Sequence, residues 1–216
     1  MAYKLDYGSV IQLPTENPYG LIVQELKHFN EEDFTLIMRV KSSAKDIISK
    51  KGKDENPESC IFGRAGMHMG VFYIPSINSY KFAYWDLQKK SDTYDYQDIH
   101  GVTLEDEYFV TIALSHSKKD KTFNFYIDGR KVGEKKYNSL IDYSETFINL
   151  GVANIQENAH PHQCFWSGEF EFLEIYKNTF NDVLLSKTTN LQDLKSINSL
   201  TKDFNKIVSY DFEEEN

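Results

Sequence analysis

Two glutamates in Glu169-Phe170-Glu171-Phe172-Leu173-Glu174 are the sharpest suggestion of catalysis in the sequence. Retaining glycoside hydrolysis needs two carboxylates about 5–5.5 Å apart, one to protonate the leaving oxygen and one to attack, and same-face neighbours on a strand provide about that separation. The apolar residues change phase within the stretch, from Phe170 and Phe172 to Leu173 and Ile175, as a β-bulge or a strand buried on both faces requires. Solvent-facing glutamates are the favoured reading, and catalysis by Glu169 and Glu174 is the alternative.

A second cluster, Ala159-His160-Pro161-His162-Gln163-Cys164, offers two imidazoles and a thiol. Structural zinc sites use a second spaced pair of ligands, and neither His68 nor His100 is placed by sequence to complete one. An ordered polar loop is therefore expected, with no metal assigned. No cofactor is expected either. Calcium is the one ion the oxygen supply would admit, through Asp86, Asp128, Asn154 and Glu157, although no dense Asp-x-Asp-x-Asp run occurs.

Carbohydrate recognition needs an aromatic plate for the C–H face of a sugar and planar amides, carboxylates or imidazoles for its hydroxyls. Three segments combine these: Gly66-Met67-His68-Met69-Gly70, Tyr84-Trp85-Asp86, and Asn154 through Trp166. The candidate ligand-binding residues are His68, Trp85, Asp86, Asn154, His160, His162 and Trp166. For Trp85 and Trp166 core packing competes evenly with ligand contact, and for His68 a satisfied structural histidine does.

Other function classes lack their chemistry. A formal charge of −9 repels phosphate backbones, and the lysines are scattered or interleaved with acids, as in Lys118-Lys119-Asp120-Lys121, so nucleic acid is not an expected partner. No apolar run is long enough to cross a membrane and the first residues lack a signal-peptide core, which favours a cytoplasmic location. No phosphate-binding glycine loop or nucleophile elbow appears. Cys60 and Cys164 are the only cysteines. They could bridge, but free thiols are favoured.

The elements that must position these groups are strands. With 216 residues, 15 Phe and 14 Tyr, the chain can fill the core of one large β-domain without metal or disulfide. Phe34, Leu36, Met38 and Val40 alternate on one face, and a short strand is predicted around Ile47-Ile48. Gly70–Ile74 and Tyr80–Leu87 flank the turn residues Pro75 to Ser79. Val110 to Leu114 and Phe123 to Ile127 follow, and Asp128-Gly129 suits a two-residue turn with positive φ at both positions. Phe147–Val152 and Phe165–Tyr176 complete the strand series. Behind Asn190, Leu191, Leu194, Ile197, Leu200 and Phe204 recur at helical spacing, so one short C-terminal helix is predicted. A return strand, Ile207 to Phe212, and the acidic end Glu213-Glu214-Glu215 close the chain.

Short strands without alternating helices predict an all-β antiparallel sandwich. The order of elements resembles the laminin G-like branch of the concanavalin A-like lectin/glucanase jelly rolls. The residues that carry the resemblance are Tyr108 to Leu114, then Phe125-Tyr126-Ile127-Asp128-Gly129, then Ile148-Asn149-Leu150-Gly151, then Trp166-Ser167-Gly168-Glu169-Phe170 with Leu173-Glu174-Ile175-Tyr176. The opening aromatic, often Trp in that family, is Tyr108-Phe109 here. The Glu169–Glu174 run also looks like the bulged carboxylate signature of certain jelly-roll hydrolases, with Glu171 where Asp is usual.

The resemblance covers about Phe34 to Ser186; with the chain length it is read as one jelly-roll domain over 1–216, its core at about 30–187 and the helix, return strand and tail in 188–216. Together with the aromatic-plus-polar segments it implies a lectin-like, non-catalytic carbohydrate-binding role in a bacterial setting, and the missing export signal places it beside or fused to glycan-processing machinery. Protein recognition is the remaining alternative to the hydrolase.

Overall fold

The computed structural model describes residues 2–8, 11–13, 33–51, 58–64, 69–87, 94–103, 108–138, 148–151 and 164–211; for 11–13, 64, 69, 85–87, 94–103 and 148 it describes the backbone alone. Its strands are β1 (Tyr3–Leu5), β2 (Ile11–Leu13), β3 (Phe34–Ser42), β4 (Ser59–Arg64), β5 (Met69–Ile74), β6 (Ser79–Leu87), β7 (Tyr94–Thr103), β8 (Val110–Ser117), β9 (Thr122–Ile127), β10 (Arg130–Lys136), β11 (Ile148–Leu150), β12 (Gly168–Tyr176) and β13 (Lys206–Asp211). The helices are α1 (Ala44–Lys50), α2 (Asp182–Thr189) and α3 (Leu194–Thr201).

Two antiparallel sheets face each other. One runs β1-β12-β3-β8-β9-β10 with β13 also on β12, and the other runs β2-β11-β4-β5-β6-β7. The non-sequential neighbours are those of a jelly roll rather than a meander. Alternation fills the space between the sheets: Phe34, Leu36, Met38 and Val40 from β3 meet Phe82 and Tyr84 from β6 and Phe123 and Phe125 from β9 in one buried cluster. Ring centroids lie 5.0 Å apart for Phe82 and Phe123 and 4.9 Å for Tyr84 and Phe123, the tilted geometry aromatic pairs favour.

The outer face of the seven-stranded sheet is covered by α2 and α3. Ile37, Ala113, Phe172 and Tyr176 point away from the inter-sheet core and pack on Phe180, Leu185 and Ile197. That explains the phase change in β12: its register against β3 slips between Phe170 and Phe172, so Phe170 faces the inter-sheet core, Phe172 and Tyr176 the outer layer, and Leu173 and Ile175 the core again.

Two local readings change. The stretch around Ile47-Ile48 is a helical turn rather than a strand, because Ser43 caps it by accepting from the Asp46 N–H at 3.4 Å and only Ile47 is buried. The single C-terminal helix is two. Asn190, expected to start it, instead ends α2, while Asn181 and Asp193 cap α2 and α3 by accepting from the N–H groups of Leu184 and Ser196.

Candidate functional site

The six-stranded sheet has an inner face buried against its partner and an outer face that carries unspent polar chemistry. Register sets both. Leu150, Phe62, Val71 and Phe82 lie in one row across β11, β4, β5 and β6 and point inward; one residue along, Asn149, Gly63, Gly70 and Ala83 form the matching outward row. A further outward row holds Cys60, Phe72 and Lys81. Gly70 is small for a local reason: a Cβ there would meet the Phe72 ring at 2.8 Å.

Cys60, Phe72, Ala83 and Cys164 form a separate apolar cluster, so the end of the β11–β12 connection lies over this face. Beside it Lys81, almost wholly buried, pairs with Glu58 at 2.5 Å. Asn149 is 5% exposed, and its side-chain Oδ1 has no hydrogen-bond partner among the described residues. A buried acceptor without a donor costs about 1–3 kcal/mol, so native structures nearly always supply one.

The candidate binding residues fall in different places. Trp85 and Asp86 are on β6, with backbones in register with Tyr96 and Asp95 of β7, and strand period places position 85 on the outward side shared with Lys81 and Ala83. Met69 pairs with Tyr84, so the β4–β5 connection that contains His68 leaves the sheet at the end where Trp85 and Asp86 sit. His68, Asn154, His160 and His162 lie outside the described residues, as does Glu157. The segment holding the last three is anchored on this sheet at both ends, by the Gly151 N–H to the Ile61 carbonyl at 2.9 Å and by the Cys60 N–H to the Cys164 carbonyl at 2.7 Å.

Trp166 is wholly buried. Its indole N–H donates to Ser42 Oγ at 2.9 Å, its ring meets Phe170 edge-on at 4.9 Å, and Gly168 must lack a Cβ to admit it. The indole is a core pillar and presents no face to a sugar. Asn149 and Lys81 fall outside the three aromatic-plus-polar segments, although the alternation Ile148-Asn149-Leu150 already marks Asn149 as outward.

The glutamate pair is not a catalytic dyad. Glu169 and Glu174 register with Lys41 and Ile37, four residues apart on β3, which separates them by about 13 Å along the strand, beyond both hydrolase spacings. Each is otherwise engaged. Glu169 pairs with Lys41 at 2.6 Å. Glu174 is fully buried, accepts from the Tyr176 hydroxyl and from Ser209 Oγ, and pairs with Lys206. Burial and donation to that carboxylate hold the Tyr176 hydroxyl well above the ordinary tyrosine range. Glu171 pairs with Arg39 at 2.6 Å.

For metal, no three His, Cys, Asp or Glu side chains converge among the described residues. Asp128, one of the proposed calcium oxygens, accepts from the Thr111 N–H at 2.8 Å. No helix among the described residues is long and apolar enough to cross a membrane.

The chain is thus a jelly-roll sandwich with α2 and α3 on the outer face of one sheet and buried polar groups on the outer face of the other. The chain belongs to the concanavalin A-like lectin/glucanase superfamily, whose laminin G-type sequence model matches residues 12–183. No curated protein matches it in sequence. Among solved structures it is similar to the CBM40 module of the Ruminococcus gnavus IT-sialidase bound to α2,3-sialyllactose, with a TM-score of 0.63 and 14% identity, covering 88% of this chain and 96% of that one. The leech intramolecular trans-sialidase gives a TM-score of 0.61 and 15% identity over 89% of this chain and 27% of its own. The NanB sialidase of Streptococcus pneumoniae gives 0.58 and 14%, over 86% and 27%. At such identities the likeness establishes the fold.

Proposed function

We propose that this protein is a non-catalytic, lectin-like carbohydrate-binding domain that takes its saccharide on the outward side of the six-stranded sheet. The observation that carries this reading is the buried Oδ1 of Asn149 on that side, which has no partner among the described residues. A sugar hydroxyl is a donor of the right kind to complete it, and each such bond contributes about 0.5–1.5 kcal/mol beyond removing the penalty. Trp85 at the end of β6 joins Asn149 from the outward register, and His68, Asp86, Asn154, His160 and His162 join on the sequence argument. The CBM40 relative, a carbohydrate-binding module by name, supports the class of ligand. The sialidases in which similar domains form about a quarter of the chain support a place beside a glycan-processing enzyme.

The test is calorimetric titration with a panel of sialylated and neutral oligosaccharides, with calcium or with EDTA. Saturable binding with the glycan recovered intact is expected, and Asn149→Ala should weaken it at least about tenfold while melting stays within a few degrees of the parent protein. Absence of binding across the panel in both ionic conditions would remove the reading. Loss of binding in EDTA alone would add calcium to the site.

A further inference from the structure

We propose that Cys60 and Cys164 are a redox-reactive pair, which closes to a disulfide over the outward face of the six-stranded sheet when the protein meets a hydroperoxide. The two residues are 104 positions apart and are the only cysteines in the chain. Neither is in a disulfide, and both are buried. The Cys60 N–H donates to the Cys164 carbonyl at 2.7 Å, which by standard bond lengths puts the Cα atoms about 5–6 Å apart, within the range of about 4.4–6.8 Å that disulfides span. Their side chains share one small cluster with Phe72 and Ala83, so both thiols lie on the same side of the sheet.

The backbone at Cys164 adds an independent sign. Its φ is +51°, a left-handed conformation that glycine adopts freely and other residues rarely do. Glycine at that position would relieve the strain. A cysteine held there, with its side chain turned onto Cys60, is a costly arrangement whose evident product is the thiol pair.

The roles of the two sulfurs follow from their surroundings. Burial, followed by the nearby charges of Cys164 and Glu58, pushes the Cys60 thiol up, which disfavours its thiolate. Cys164 is 6% exposed against zero for Cys60, so it meets the oxidant first. The Cys164 thiolate attacks one peroxide oxygen, breaking the O–O bond to give a sulfenic acid and hydroxide. Cys60 then displaces the sulfenic oxygen, forming the S–S bond, and its proton leaves with that oxygen as water, while the proton Cys164 gave up on becoming a thiolate neutralises the hydroxide. Two thiols lose two electrons and two protons, and one peroxide becomes two waters.

The link would close a loop of roughly a hundred residues, a large constraint on the unfolded chain, and should raise the melting temperature by about 5–15 °C. The experiment exposes the intact protein to hydrogen peroxide, then compares intact mass, a non-reducing peptide map and thermal melting. The expected result is a monomer lighter by two hydrogens, a Cys60–Cys164 linked peptide, a higher melting temperature, and reversal of all three by dithiothreitol. Cys60→Ser should instead accumulate oxygen on Cys164, and Cys164→Ser should leave Cys60 unmodified. Over-oxidised Cys164 beside a reduced Cys60 in the parent protein would overturn the proposal, as would thiols that stay reduced when folded but link once the chain is denatured. The readouts need no glycan, so they are independent of the proposed function.

Discussion

The Asp128 carboxylate accepts from the Thr111 N–H at 2.8 Å, and the Asp128 N–H donates to the Thr111 carbonyl at 3.0 Å. The side chain and backbone of one turn residue thus hold the first strand of the β8–β9–β10 meander to its last corner. Asp128 stands at a φ of +45°, which Asp and Asn tolerate better than most residues. Asp128→Ala should therefore cost about 1–2 kcal/mol, from the lost bond and from left-handed strain, whereas Asp128→Asn should stay within about 0.5 kcal/mol. Urea titration of the three proteins checks this, and equal losses for Asn and Ala would show that the charge itself matters.

Gly129, the second residue of that turn, docks the hairpin on α2. Its N–H donates to Thr189 Oγ1 at 2.9 Å and its carbonyl accepts from Ser186 Oγ at 2.7 Å. With φ at +78°, and with only 3.2 Å between the place a Cβ would take and the Cβ of Asn190, the position resists any side chain. Gly129→Ala should lose about 1–3 kcal/mol, and hydrogen exchange should quicken in α2 more than in β3.

Trp166 separates packing from recognition. Trp166→Ala should destabilise by about 3–5 kcal/mol, and Trp166→Phe by less, since the ring is largely kept while Ser42 loses its donor. Trp166→Phe should bind glycan as the parent does. A selective loss of affinity in a stably folded Trp166→Phe would return the indole to the binding site.

Much of this was legible in the chain. Period-two runs such as Phe34 to Val40 and the Asp128-Gly129 pair depend on local sterics and one-sided burial, so the strands and their family order could be read directly. What failed was set by contacts distant in sequence. Ile47 is helical because Ser43 happens to cap it, and Asn190 ends a helix because Asn181 begins one earlier than the apolar period reveals. Trp166 and Trp85 look alike in sequence; only the Ser42 partner and the space left by Gly168 commit Trp166 to the core. Asn149 was readable as outward-facing, but its missing hydrogen-bond partner is a property of the assembled sheet.

Glu174 should prove structural. Replacing it with Ala leaves the buried Tyr176 hydroxyl without its acceptor and Lys206 without its carboxylate, a loss of about 3–5 kcal/mol. Among the described residues the Tyr176 hydroxyl then retains Thr201 Oγ1, at 2.8 Å. Glu169→Gln touches a half-exposed pair with Lys41 and should cost under about 1 kcal/mol. Both should release no reducing sugar from any glycan the parent leaves intact; hydrolysis that disappears in Glu169→Gln would reinstate the catalytic alternative.

Alkaline pH gives the last test, because two buried tyrosines resist ionisation. Burial and then the Asp182 carboxylate push Tyr126 up to about 12, and Tyr176 is displaced in the same direction by burial and Glu174. An acid whose pKa is raised on folding holds its proton more tightly in the native state. Its contribution is whole below the unfolded value of about 10 and is lost as pH climbs through the folded value. Stability should thus be flat up to about pH 10 and fall steeply by about pH 12, with part of the tyrosinate absorbance appearing only on unfolding. Tyr126→Phe should soften the fall without moving its onset, since Tyr176 still titrates against the fold. A native protein whose tyrosines all ionise near pH 10 would contradict the buried hydroxyl network on which α2 and α3 pack.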